Sequence, residues 1–190
     1  MPKNKTRERE DGRFASIFCI MRGKSRLLAY GALIAALYAV LTHLQNIILP
    51  GSATWAIQMR MSEALCVLAF FTPAAIWGLG AGCFLFNILY SGALPLDPIV
   101  GTLATVLAAV CMYATRKIKV FGIPVLGMLM PALFNGLLVG WELWLFLETP
   151  FWLNAVYVAI GELIVLFVLG TALYFLLDRR FRHVIEGERK

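Results

Sequence analysis

The sequence is short of the residues on which soluble catalysis depends. It has two histidines, four cysteines, and charged side chains at only 15% of its 190 positions. Cys19, Cys66, Cys83 and Cys111 form no CxxC pair, so neither a dithiol centre nor a zinc site is expected, and they read as small apolar residues. GLGAGC at 78–83 has no strand before it and no Lys-Ser/Thr after it, which excludes a phosphate-binding loop. Gly78 and Gly82 read instead as helix-packing residues. GxSxG and HExxH are absent as well. Ser62 beside His43 is the one pair from which an intramembrane hydrolase could be imagined. The expectation is a protein that is not an enzyme and holds no metal or cofactor.

What is abundant is apolar. Hydrophobic residues fill 61% of the chain and the mean hydropathy is +0.79, well above the roughly 45–50% of a soluble domain. Several runs reach the roughly 20 residues that one crossing of a bilayer needs, so the chain reads as an integral membrane protein. A cleavable signal peptide is not expected, because the N-terminus is long and basic and the first apolar run is too long.

Turn signals divide the chain into a polar arm at 1–26, a membrane domain at 27–177 and a basic tail at 178–190. Six spans fit, at about 27–45, 57–71, 73–90, 98–115, 123–147 and 152–177, the second being the shortest. The fold class expected is an all-α six-helix transmembrane bundle. Charge supports that count. Eight Lys/Arg lie in the arm, three in TRKIK (115–119) and five in the tail, sixteen of the seventeen in all. An even number of crossings puts these three regions on one side, which the positive-inside rule makes cytoplasmic. The membrane and outer region is left with one base, Arg60, and five acids, Glu63, Asp97, Glu142, Glu148 and Glu162.

A charge near the bilayer centre costs about 2.5–3.5 kcal/mol on insertion scales, so such residues face a bundle interior or a wet cavity. Arg60 and Glu63, three apart, can partly neutralise each other. They are read either as a structural ion pair or as part of a ligand pocket. Polar residues recur at Asn87, Asn135, Glu142, Asn154 and Glu162. Asn135 and Glu142, seven apart, share a helix face, while Ala132, Gly136 and Gly140 form a different stripe on which a neighbouring helix can pack. Trp55, Trp141, Trp144, Trp152 and Tyr157 suit an interfacial belt, with one or two free to stack on a flat or cationic ligand. Ala32, Ala35, Ala36 and Ala39 give the first span a strip for close helix packing.

In their order and spacing, AALYAVLT (35–42), QMRMSEALCVLAFFTPAAIWGLGAGCFLFN (58–87), DPIVGTLATVLAA (97–109), PALFNGLLVGWEL (131–143) and PFWLNAVYVAIGELI (150–164) resemble the QueT family. These are substrate-binding (S) components of energy-coupling factor (ECF) transporters for queuosine precursors. The resemblance covers roughly 27–177 and leaves the arm outside. It implies a six-helix S component that docks, through small residues on its first helix (here Ala32, Ala35, Ala36 and Ala39), on the transmembrane protein EcfT and two cytoplasmic ATPases. Its cargo would be preQ1, preQ0 or queuine, deazaguanines whose N–H edge suits carboxylate acceptors. Carbon in place of N7 removes the usual arginine fork. The substrate set expected is therefore Glu162 or Glu142 on the base edge, with Asn87, Asn135, Arg60 and Glu63 completing the shell. Arg60 is assigned to the pocket wall. The alternatives are an S component for another vitamin or heterocycle, a solitary proton-driven transporter, and a structural membrane protein without a ligand.

Overall fold

The computed structural model describes the backbone of residues 3–52, 59–90 and 94–187, and side chains between 24 and 179 within those limits. Trp55 lies outside the described residues. Helix α1 (Lys3–Ile48) runs through the basic arm into the first apolar segment as one rod. Alanine and leucine, strong helix formers, dominate its second half. It stops at Leu49-Pro50-Gly51, where Pro50 cannot continue the ladder and Gly51 adopts φ +84°.

The second apolar segment is not the transmembrane α-helix expected. Met61–Phe70 is a 3-10 helix of ten residues. At a rise of about 2.0 Å per residue it extends roughly 20 Å, short of a hydrocarbon core of about 30 Å. Seven of its ten residues are buried. It is threaded through the bundle, touching α1 and four of the helices that follow it. Three residues per turn eclipse positions three apart, so Glu63, Cys66 and Ala69 stand in one line along its flank, with Arg60 capping its start in an extended conformation.

Pro73 ends that segment, and α2 (Ala74–Tyr90) and α3 (Asp97–Thr115) follow. A two-residue turn at Phe121 and Gly122, both at positive φ, reverses the chain between Val120 and Ile123. The fifth segment is broken into α4 (Val125–Met128) and α5 (Met130–Leu147). The cause is Pro131, which lacks the N–H to continue the ladder and crowds the carbonyl four residues back. The sixth segment is α6 (Phe151–Val165), a π-helical turn at Leu166–Gly170, and α7 (Thr171–Gly187). Among the described residues four helical segments are long and apolar enough to cross a membrane: Lys24–Ile48, Asp97–Thr115, Val125–Leu147 and Phe151–Arg179. Met61–Phe70 and Ala74–Tyr90 are shorter apolar helices.

Between lipid-facing helices the hydrophobic effect offers little, so small residues and close backbones must hold the bundle. Gly78 and Gly82 seat α2 on α1: a Cβ at 78 would lie 2.6 Å from the carbonyl oxygen of Gly31, and one at 82 would lie 2.7 Å from that of Ala35. Gly136 and Gly140 do the same for α5 on α6, across Ala155. Both stripes read from the sequence are therefore packing surfaces. The main apolar core joins Ile34, Tyr38, Val67, Phe70, Leu79, Met112, Met128, Leu166 and Tyr174.

At Gly140 a Cβ would stand 2.9 Å from both Cα and N of Ala155. Backbone cannot rotate away, so Gly140→Val should destabilise the detergent-solubilised protein by about 1–3 kcal/mol. Gly80→Ala meets only the Val106 and Thr102 side chains and should cost less. Thermal unfolding of both variants checks the order.

Candidate functional site

The expected ion pair between Arg60 and Glu63 does not form. Arg60 is buried and pairs instead with Asp97, Nη2 to Oδ2 at 3.2 Å. Its other terminal nitrogen lies 3.7 Å from Cys83 Sγ, and the guanidinium stands 5.9 Å from the Phe86 ring centre, within the range of a cation–π contact. Asp97 belongs to the first turn of α3, where the helix dipole favours a negative charge. The sequence had placed it in an outward loop; it is 3% exposed. Its backbone carbonyl accepts from Asn87 Nδ2 at 3.0 Å, which ties α2 to the start of α3. Gly101 makes room for this junction, since a Cβ there would lie 2.6 Å from Asn87 Nδ2 and 2.9 Å from Asp97 Oδ1.

Glu63, one 3-10 turn after Arg60, has its own donors. Tyr38 on α1 donates to Oε1, and Cys66 donates to Oε2 at 3.0 Å. Thr105 on α3 lies 3.5 Å from Oε1 but only 3.0 Å from the Gly101 carbonyl. One hydroxyl hydrogen serves one strong bond, and the shorter contact takes it. Thr42 and Ser62 join α1 to the same 3-10 segment at 2.6 Å. Gln45 clamps the entry: its Nε2 donates to Ser52 Oγ and to the Met59 carbonyl, and its Oε1 accepts from the Met61 N–H at 2.7 Å.

The α5–α6 side is built differently. Glu142 has no exposed surface, and neither carboxyl oxygen has a partner. Glu162 is 2% exposed with Oε2 unpartnered, and Asn135 Nδ2 is buried without an acceptor. From the other side Asn87 Oδ1, Asp97 Oδ1 and Thr102 Oγ1 are also unpartnered. Buried polar atoms in native proteins are rarely left so. Glu142 is within electrostatic range of Asp97 and Arg60, and Glu162 of Glu63 and Arg60. Arg60, Glu63, Asn87, Asp97, Glu142 and Glu162, from five elements, therefore form one polar cluster inside an apolar bundle. Among the described residues the unpartnered carboxyl and amide oxygens outnumber the unpartnered donors, which are the Asn135 amide and the Thr102 hydroxyl, so the cluster calls for donors.

All six substrate residues expected from the sequence, Arg60, Glu63, Asn87, Asn135, Glu142 and Glu162, are buried, and contacts or electrostatic interactions link five of them, Arg60, Glu63, Asn87, Glu142 and Glu162, through Asp97 and Arg60. Asn154 is not part of the cluster: its side chain donates to Thr149 O and Oγ1 and fixes the turn between α5 and α6. Trp141, Trp144, Trp152 and Tyr157 are exposed on the outside of the bundle, which suits the belt and removes them from the cluster. His43 hydrogen-bonds with Tyr90, not with Ser62. Asp97, Tyr38 and Thr105 were missed. A buried i,i+4 stripe of Asp97, Gly101 and Thr105 could have signalled two of them; nothing local marks Tyr38. Of the alanine strip, Ala35 is buried beneath Gly82, whereas Ala32 and Ala36 are exposed and Ala39 is half-buried. A groove of about 450 Å³ between α5 and α6, lined by Leu133, Gly136, Leu137, Trp152 and Val156, carries no charged side chain.

Removing one partner of a buried pair leaves the other charge stranded, at about 3–5 kcal/mol. Asp97→Asn should lose stability on that scale, and adding Arg60→Met should recover part of it. Thermal unfolding of the single and double variants measures the coupling.

No match is found among curated proteins, and none among solved structures. A family model does match, over residues 28–179, and its description is QueT transporter. That range holds α1 from its apolar half onward, the whole buried cluster and the start of α7. It covers most of the chain, and by it the protein belongs to the QueT transporter family.

Proposed function

We propose that the protein is the substrate-capture S component of an ECF-type importer and that its buried cluster binds a queuosine precursor, preQ1, preQ0 or queuine. The observation that carries this reading is the excess of unpartnered acceptor oxygens, on Asn87, Asp97, Glu142 and Glu162, over the unpartnered donors, the Asn135 amide and the Thr102 hydroxyl. A deazaguanine offers the complementary set, with ring and amino N–H groups for carboxylates and one carbonyl for an amide donor. Glu162 or Glu142 reads the base edge, with Asn87 and Asn135 completing it; where the cargo carries an amine, Glu162 keeps the edge and Glu142 takes the amine. Glu63 is held by Tyr38 and Cys66, and Arg60 by Asp97. These two therefore form the wall rather than the primary contact.

The chain crosses the plasma membrane of a bacterium six times, with both termini, the 1–26 arm and the 178–190 tail in the cytoplasm. The one-sided distribution of Lys and Arg supports this arrangement. The 3-10 segment completes its crossing inside the protein, where its backbone is shielded from lipid. Docking on EcfT uses the outward part of the alanine strip, Ala32 and Ala36 with the edge of Ala39. Ala35 contributes indirectly, by seating α2. Two ATPases supply the energy, since the described chain carries no phosphate loop.

Purified protein should bind one of these deazaguanines by calorimetry, with a matching rise in thermal stability that follows ln(1 + [L]/Kd). Glu142→Gln and Glu162→Gln should each weaken it about 10–150-fold, the loss of one charge-assisted hydrogen bond worth roughly 1.5–3 kcal/mol. Normal binding by both variants would refute the acid assignment. Uptake in cells should stop when the coupling ATPases are deleted; uptake that persists would favour a solitary transporter.

A further inference from the structure

The cluster poses a charge problem that its own residues do not solve. Four carboxyls, Asp97 on α3, Glu63 on the 3-10 helix, Glu142 on α5 and Glu162 on α6, lie within electrostatic range of one guanidinium, that of Arg60. The other titratable groups facing them are Tyr38 from α1, Cys66 from the 3-10 helix and Cys83 from α2. A phenol and two thiols bring no positive charge. Arg60 is engaged with Asp97 at 3.2 Å, and Glu63 is met by two neutral donors. Glu142 is left with no exposed surface and no partner on either oxygen. Ionised carboxylates are not retained away from water unless a cation or a proton balances them.

We propose that the empty site carries a proton on Glu142 and that a cationic cargo enters by exchange for it; this rests on the reading of the cluster as the cargo site. On binding, the O–H bond of the Glu142 carboxyl breaks and its proton passes to solvent buffer. A protonated amine of the cargo then donates N–H to the carboxylate left behind. One positive charge enters, one leaves, and the interior keeps its charge. A neutral cargo of the same ring system brings no charge, so the proton stays. Because a proton is a product of binding, the apparent affinity for the cation rises with pH, by up to about tenfold per unit.

The test is calorimetry on the intact wild-type protein near pH 7 in phosphate and in Tris, whose ionisation enthalpies differ. The ligands are the aminomethyl deazaguanine, a cation, and its neutral nitrile counterpart. The difference in heat between buffers should report about one proton released per cation bound and about none for the nitrile. In Glu142→Gln the release should vanish, whatever affinity remains, because an amide has no such proton to give. Binding of the cation with no release, or equal release with both ligands, would overturn the exchange while leaving the cargo assignment standing. Undiminished release from Glu142→Gln would overturn it too. If the nitrile does not bind, the count for the cation alone decides. If neither ligand binds, the cargo assignment falls and the exchange falls with it.

Discussion

Inside this bundle one guanidinium, that of Arg60, faces the carboxyls of Asp97, Glu63, Glu142 and Glu162, and most of the architecture can be traced to how they are shared. Charges removed from water are tolerated only when paired and hydrogen-bonded. Arg60 at the start of the 3-10 segment can reach Asp97 only because Gly101 keeps α3 close to α2, with Asn87 bridging the two. Glu63 needs Tyr38, which sets α1 against the same segment. Three helices and the 3-10 segment are thus drawn to one line of polar atoms.

The 3-10 geometry belongs to this arrangement. An α-helix would rotate residues three apart by about 300° and spread Arg60, Glu63 and Cys66 around an arc. At three residues per turn Glu63 and Cys66 eclipse, so one edge of the segment presents the carboxyl and the thiol that donates to it. The same tight winding shortens the segment, and the surrounding helices shield it. Local geometry that costs hydrogen-bond quality is thereby used to line up a polar strip.

Packing and site chemistry are kept on separate faces. On α5, Gly136 and Gly140 meet Ala155 of α6, while Glu142 lies within electrostatic range of Asp97 and Arg60. On α1, Gly31 and Ala35 meet α2, Tyr38 reaches Glu63, and Ala32 and Ala36 are left on the outside. Small residues let backbones approach closely enough for short polar side chains to span the gaps. The apolar groove on the outer face of α5 and α6 is larger than a water pocket, but it lacks the groups that could read a heterocycle.

The sequence by itself determined the all-helical class, where the chain breaks, and the two glycine stripes, but not that Met61–Phe70 winds as a 3-10 helix or that the fifth segment is broken. What it determined follows from local rules: long apolar runs, proline and glycine at the breaks, and small residues at a spacing of four. It also singled out Arg60, Glu63, Asn87, Asn135, Glu142 and Glu162, all of them buried, because a polar side chain in an apolar run is conspicuous wherever it points. Only the tertiary structure decided who pairs with whom. Arg60 and Glu63 are neighbours in sequence, yet their partners are Asp97, 37 residues on, and Tyr38, 25 residues back. Tyrosine in a membrane helix is unremarkable until a carboxylate stands opposite it, and Asp97 looked like a loop residue because its burial depends on α2 and on Gly101. Pairing across helices depends on distances that no local pattern encodes. In a low-dielectric interior those distances determine which polar groups are partnered and which, like the Glu142 carboxyl, are not.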